Sequence, residues 1–290
     1  MANFLKKYCD KHNIILKKGH NWHILLTLVW NYIMIARLSL YKWLYGINNP
    51  IVHYYAVCWN EERMLPFVFR HYDGFVSRYV FYDNESTDDS QRIIQSHPNS
   101  YVKTFHTDGF DDNVHNMIKN SCWKKSRGRA DYVIVCDVDE MLYHKEMQQM
   151  LTHAHKNHIS FFQPEGWDMY SETFPPSNST LTETVTKGTR NKGYGKCILF
   201  DPHRIVDINY EPGAHFCHPT GMVKTSEDYD LKVLHYKNLG LDYVMSRINA
   251  YRARLTDQIK EEGLAIHYCY SDKQIEEEFE KELAKAERAF

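Results

Sequence analysis

The residues best suited to do chemistry lie in mid-chain. Asp137-Val138-Asp139-Glu140 follows the apolar run of residues 132–136. Alternate residues of a strand point the same way, so Asp137 and Asp139 can face one ligand. Two carboxylates with open positions suit Mg²⁺ or Mn²⁺, ions that also bind diphosphate oxygens. Such an ion is a good Lewis acid for a diphosphate leaving group. The same letters also describe a solvated acidic turn that only ends a strand. Position argues for the ligand, because two more polar clusters precede this one. They are Asn60-Glu61-Glu62 and Asp83-Asn84-Glu85-Ser86-Thr87-Asp88. Asp83 can accept hydrogen bonds from a nucleobase N–H or from ribose hydroxyls. Ser86, Thr87 and Asp88 are read as the cap of the next helix.

The elements that must position these clusters alternate. Residues 51–58, 78–82, 101–106 and 132–136 read as strands, and residues 61–72, 88–96 and 113–126 as helices. Strand and helix in alternation predict a mostly parallel sheet, whose ligands sit beyond the carboxyl ends of its strands. The three clusters are therefore expected to converge. Residues 159–210 are richer in turns, and 174–179 and 187–195 read as loops. The second of these is basic and glycine-bearing, suited to face an anion. Residues 243–260 and 274–289 read as helical.

Near the N-terminus, residues 22–44 are the most apolar stretch. Asn31, Arg37 and Lys42 interrupt it, so it falls short of the ~20 clean residues that a membrane span needs. As a helix it gathers His23, Thr27, Asn31, Arg37 and Lys42 on one arc. A helix docked on the protein's own core is the leading expectation. An interfacial membrane helix behind the lysine-rich residues 1–20 comes second, and a true span third. The expected organisation is a helical extension over 1–47, an α/β domain over 48–240 and a C-terminal helical segment over 241–290.

Cys58-Trp59-Asn60-Glu61-Glu62, then Tyr82-Asp83-Asn84-Glu85-Ser86-Thr87-Asp88, then Cys136-Asp137-Val138-Asp139-Glu140 together resemble a family 2-type glycosyltransferase. The closest pattern is the branch that carries N-E-E, D-N-x-S-x-D and D-x-D-E in this order. The resemblance covers residues 51–255. It implies the GT-A fold, a Rossmann-like, mostly parallel sheet flanked by helices. It also implies a nucleotide-diphosphate sugar donor, a divalent cation and inversion at the anomeric carbon. Carried over, Asn60 and Glu61 lie near the nucleotide, and Asp83 binds base or ribose. Asp137 and Asp139 hold ribose and metal. The family often has glycine where Glu85 stands, so the local turn departs from the pattern.

Related families complete the metal site with a late histidine, and His235 in Leu234-His235-Tyr236 matches best. Histidine suits Mn²⁺. A buried structural role competes for His235, and more strongly for His215 and His218. An inverting transfer needs a base for the acceptor hydroxyl. Asp168 is the first choice, Glu211 the alternative, and Glu165 lies close by. Trp167 can stack on an acceptor sugar. Lys196, Arg190 and Lys192 can neutralise the diphosphate.

Composition narrows the field. With 35 basic and 37 acidic residues the formal charge is -2, which excludes a general nucleic-acid binder. The 7 cysteines are scattered and never form CxxC, so neither a disulfide framework nor a zinc knuckle is expected. They suit a reducing, cytoplasmic setting, and an interfacial N-terminal helix would make the protein peripheral at the inner face of the membrane. The expected activity is a hexosyltransferase-type transfer to a glycan or glycolipid acceptor in surface polysaccharide or glycoconjugate synthesis. Two competitors remain. A nucleotidyltransferase would carry a glycine-rich loop after its first strand, where Trp59-Asn60-Glu61-Glu62 stands. A non-catalytic glycosyltransferase-like binding module would be favoured by loss of the acidic pair, which is intact.

Overall fold

The computed structural model describes residues 9–17, 21–226, 229–255 and 270–290. Lys6, Lys7, Lys18, Cys269 and the end of the helix expected over 243–260 lie outside the described residues. A short strand β1 (Ile14–Ile15) precedes helix α1 (Asn21–Leu44). Strands and helices then alternate: β2 (Val52–Cys58), α2 (Leu65–Tyr72), β3 (Val76–Asp83), α3 (Ser90–Ser96), β4 (Ser100–Thr104), α4 (Asp112–Ser121) and β5 (Tyr132–Asp137). β2 to β5 pair in parallel in the order β4-β3-β2-β5, and β9 (Leu199–Phe200) closes the edge antiparallel to β5. The fold is thus mixed α/β around a mostly parallel sheet. Every residue of β2 is buried, as a central strand covered on both faces requires.

A second sheet has the order β13-β8-β7-β12-β6. Its strands are β6 (Glu140–Tyr143), β7 (Glu165–Ser171), β8 (Lys187–Arg190), β12 (Lys232–Leu239) and β13 (Glu287–Arg288). β5 ends at Asp137 and β6 begins at Glu140, so the acidic motif is the chain's crossing from one sheet to the other. β12 runs parallel to β7 and antiparallel to β6, which sets His235 opposite Asp168 on one side and Glu140 on the other. Helices α5 (Met147–Lys156) and α6 (Leu181–Thr184) connect these strands. The largest buried cluster spans both sheets, from Val52 and Tyr54 to Val233 and Tyr236.

Three expectations need correction. Residues 187–190 are strand β8, not loop, and a single helical turn follows at Lys192–Tyr194. Only four residues long and glycine-bearing, β8 lacks the alternation that marks a strand. Its Gly188 is there for close approach, since a Cβ would meet the Asp168 carbonyl oxygen at 2.6 Å. At the C-terminus, α8 (Asp272–Lys285) stops early, and Glu287–Arg288 pair with β8 as the edge strand of the sheet. The third correction concerns α1. Asn31 is buried, its amide donating to the His203 carbonyl at 2.6 Å, and Lys42 pairs with Asp131 at 2.8 Å. Two members of the polar arc therefore face the protein, because their hydrogen-bond partners are there. Ile24, Leu28 and Leu38 share that inner face. It rests on β10 (Ile205–Asp207) and β11 (Thr220–Met222), which form a small sheet with β1. The six described cysteines are free, five of them buried.

Candidate active site

A cavity of about 850 Å³ opens at the carboxyl ends of β2 and β5 and is closed by β7, β12, helix α7 (Leu241–Arg252) and α8. Of the predicted site residues, Glu61, Asp137, Asp139, Asp168, Lys196 and His235 line it. Asn60, Asp83 and Glu211 do not.

Asp137 ends β5 between two lysines, with Lys119 at 2.6 Å and Lys196 at 3.1 Å. Burial pushes its carboxyl up, but the two lysines outweigh burial and hold it well below the usual carboxylate range. Lys196 also reaches Glu140, which is fully buried, takes a hydrogen bond from the Asp137 N–H at 3.1 Å and another from the Tyr194 hydroxyl. Burial would lower the Lys196 pKa; Glu140 and Asp137 raise it, so the ammonium stays charged.

Asp139 projects to the other side. Its carboxylate lies 3.6 Å from His235 Nε2 and 3.2 Å from the Arg247 guanidinium. His235 and Arg247 outweigh burial and hold the Asp139 carboxyl well below the usual carboxylate range. Arg247 also grips Glu61, at 2.7 and 2.8 Å to its two oxygens. Burial is the larger effect on Glu61 and pushes its carboxyl up to about 7, against the pull of Arg247.

His235 sits at the centre. Its Nδ1 is 3.1 Å from Asp168, and the Tyr194 ring stacks flat on it at 4.4 Å. Gly166 makes that stacking possible, because a Cβ there would meet the Tyr194 carbonyl at 2.4 Å. Burial opposes protonation of His235, yet Asp139 and Asp168 raise its pKa. Asp168 in turn accepts from Asn191 at 2.8 Å and lies 3.4 Å from Lys237.

This donor set can be tested against a divalent ion. Asp139 and His235 Nε2 are spaced so that one ion can reach both at the ~2.1 Å these ions prefer. A carboxylate holding the other ring nitrogen is the usual support of a metal-ligating histidine, and Asp168 provides it. Asp137 has both oxygens on lysines. Among the described residues, no group of three His, Cys, Asp or Glu gathers in ligand geometry. The described residues thus offer an ion at most Asp139 and His235 together.

The other predicted residues have different partners. Asn60 adopts a left-handed backbone (φ 53°), which asparagine tolerates, and its amide oxygen takes the Thr87 N–H at 2.7 Å. Asp83 is fully buried and accepts from Ser86 N–H and hydroxyl and from Gln91. Glu211 is half exposed and pairs with His218 at 2.7 Å, while Glu165 pairs with Arg190. Trp167 points into the core, because alternation along β7 sends Asp168 and Tyr170 to the cavity instead. Arg190, Lys192 and His215 line the cavity.

Sequence reasoning missed Lys119, Tyr194, Lys237 and Arg247. Lys237 was within reach, as it shares the His235 face of β12 at i+2. Lys119 and Arg247 arrive from helices whose packing no local pattern announces. Three buried polar atoms on the cavity wall, His115 Nε2, His215 Nδ1 and Asn238 Nδ2, have no hydrogen-bond partner among the described residues. Such atoms are costly unless a polar ligand or water meets them.

No family profile and no curated protein matches the chain. Among solved structures it is similar to S. aureus TarS residues 1–349, at 9% identity over 70% of this chain and 64% of that one, with a TM-score of 0.40. Against S. aureus TarS the figures are 10%, 69%, 38% and 0.39. Against Mycobacterium tuberculosis glucosyl-3-phosphoglycerate synthase, in complex with Mn²⁺, UDP and glucosyl-3-phosphoglycerate, they are 14%, 41%, 44% and 0.27. The chain spans less than two thirds of the length of each.

Proposed function

We propose that the chain is a metal-dependent glycosyltransferase of the GT-A type. In this reading it moves a hexose from a nucleotide-diphosphate sugar to a hydroxyl of a glycan or glycolipid, with inversion, in surface glycan synthesis at the cytoplasmic face. One observation carries the proposal. At the carboxyl ends of parallel strands, Glu61, Asp137, Asp139, Asp168 and His235 share a cavity wall with Lys119, Lys196, Arg247 and Lys237. A site for a neutral ligand would not gather so many charges of both signs. A metal–diphosphate carries both.

Asp139 and His235 would hold Mn²⁺ or Mg²⁺, which supplies Lewis-acid stabilisation of the leaving diphosphate when bound. The chain's own residues do the rest. Asp168 orients the His235 ring through Nδ1. Lys119 and Lys196 are charged groups beside the position of the diphosphate, able to turn from Asp137 to phosphate oxygens. Glu61, fixed by Arg247, faces the nucleotide side with Asp137. Of the carboxylates offered as a base, only Asp168 lines the cavity, so it keeps that assignment. Asp83 and Asn60 act one step back, by fixing the loop that follows β3.

Donor hydrolysis and transfer, measured with and without Mn²⁺ over a panel of sugar nucleotides, test the proposal. Metal-dependent release of nucleoside diphosphate from one donor is the expected result. No turnover of any sugar nucleotide, and no nucleoside diphosphate binding, would remove it.

A further inference from the structure

Helix α1 is apolar on the wrong side for a helix that serves only its own core. Its inner face, Ile24, Leu28, Asn31, Leu38 and Lys42, is held to the protein along its length. Its outer face carries Trp22, Leu26, Val29, Ile33, Leu40 and Leu44, all exposed. At 100° per residue these side chains lie within one broad stripe opposite Ile24. Trp30, Tyr32 and Tyr41 extend it on both flanks, and Trp43, beside its end, is 77% exposed. Monomeric proteins rarely leave such a contiguous apolar surface to water.

We propose that α1 is an in-plane docking helix, which seats the protein on an anionic lipid bilayer by its outer face. Three features select this occupant. The first is charge. No Asp or Glu occurs between Asp10 and Glu61, whereas Lys11, Lys17, Lys18 and Arg37 do, besides the inward Lys42 that Asp131 holds. A purely basic border complements anionic headgroups. The second is the aromatic set: Trp and Tyr prefer the depth where headgroups meet acyl chains. The third is the breadth of the stripe. A seam between two helices is a narrow stripe, whereas this one is broad and continues into exposed Trp30, Tyr32 and Tyr41. The helix is long and apolar enough to cross a membrane. Asn31 bonded to His203 and Lys42 paired with Asp131 nevertheless bind one side to the protein, which requires it to lie flat. The docking has a consequence for the cavity. α1 rests on β10 and β11, and the segment joining those two strands contributes Pro212, Gly213 and His215 to the cavity wall. The proposal is independent of the transfer reaction.

The test is co-sedimentation of the full chain with phosphatidylcholine vesicles, with and without phosphatidylglycerol, over a range of salt. Quenching of tryptophan fluorescence by brominated lipid is read in parallel, since Trp22, Trp30 and Trp43 are half of the 6 tryptophans. Binding to anionic vesicles that weakens with salt, with quenching, is expected. Leu26→Glu, Ile33→Glu and Leu40→Glu together should lower partitioning by about tenfold or more and leave the melting temperature unchanged, because these side chains touch no core. Three results would overturn the proposal. They are wild-type protein that stays in the supernatant with both vesicles, a folded triple variant that still pellets, and a dimer in solution that the triple variant disperses. Resistance of bound protein to alkaline carbonate would overturn the flat orientation.

Discussion

Two acidic clusters end neighbouring parallel strands, and they meet opposite fates. Asp83 ends β3 and Asp137 ends β5, and in each strand the residues just before the aspartate are largely buried and apolar. Asp83 is neutralised by donors from its own turn: the Ser86 N–H, the Ser86 hydroxyl and the nearby Gln91 amide. It is closed off completely. Asp137 and Asp139 are neutralised by cations from remote elements, Lys119 on α4, Lys196 before β9 and Arg247 on α7. Neutral local donors make a structural turn. Charged remote donors leave a carboxylate that an incoming cation or anion can regroup. The identity of the donor, more than the acid itself, separates scaffold from site.

The sharpest way to break this contrast is to remove a remote cation. Lys196→Met leaves the buried Glu140 without its cation and the half-buried Asp137 with one partner fewer, which should cost about 3–5 kcal/mol of stability, read by urea or thermal unfolding. An unchanged midpoint would mean that Lys196 is not holding these acids. Next comes Asp139→Asn, which keeps size but removes the charge facing His235. Metal-dependent turnover should fall about 10³-fold, equivalent to ~4 kcal/mol, with the melting temperature nearly kept. Asp168→Asn should then weaken metal affinity by about 10–100-fold through loss of the carboxylate that orients His235. A further collapse of the rate constant at saturating metal, with loss of the acid limb of the pH–rate profile, would mark Asp168 as the base as well. The smallest effect belongs to the closed cluster. Asp83→Ala leaves three donors unpaired and should cost about 1–3 kcal/mol of stability. Nucleotide affinity, measured by calorimetry, should change little. If affinity collapses while stability holds, Asp83 belongs to the site and the contrast fails.

The same contrast explains what could be read from the sequence. The two central strands are legible because each is a compact apolar run bounded by polar residues, Val52–Cys58 and Tyr132–Asp137, while β3 and the more exposed β4 follow from their place in the strand–helix alternation. The two aspartates were legible because they end one of those runs. Their partners were not. Lys119 and Arg247 lie on helices where a lysine or arginine is ordinarily solvated, and only tertiary packing turns them inward. Asp83 shares the sequence setting of Asp137 but not its partners, and the Ser86 hydroxyl and N–H that hold it come from its own turn. β8 was hidden by its length and by Gly188. α1 showed its apolar character plainly but not its orientation. Asn31 found a backbone carbonyl at His203 and Lys42 found Asp131, and these two partners decided which face would point outward.

The account stands on Asp139 and His235 serving one metal-bound nucleotide sugar. A thermal-shift screen of sugar nucleotides with Mn²⁺ tests this most directly, because a ligand that binds the native state raises the melting temperature by mass action. The account predicts that at least one nucleotide sugar raises the melting temperature only when Mn²⁺ is present, and that Asp139→Ala abolishes the metal-dependent part. A shift that persists in Asp139→Ala would contradict it, as would no shift with any donor.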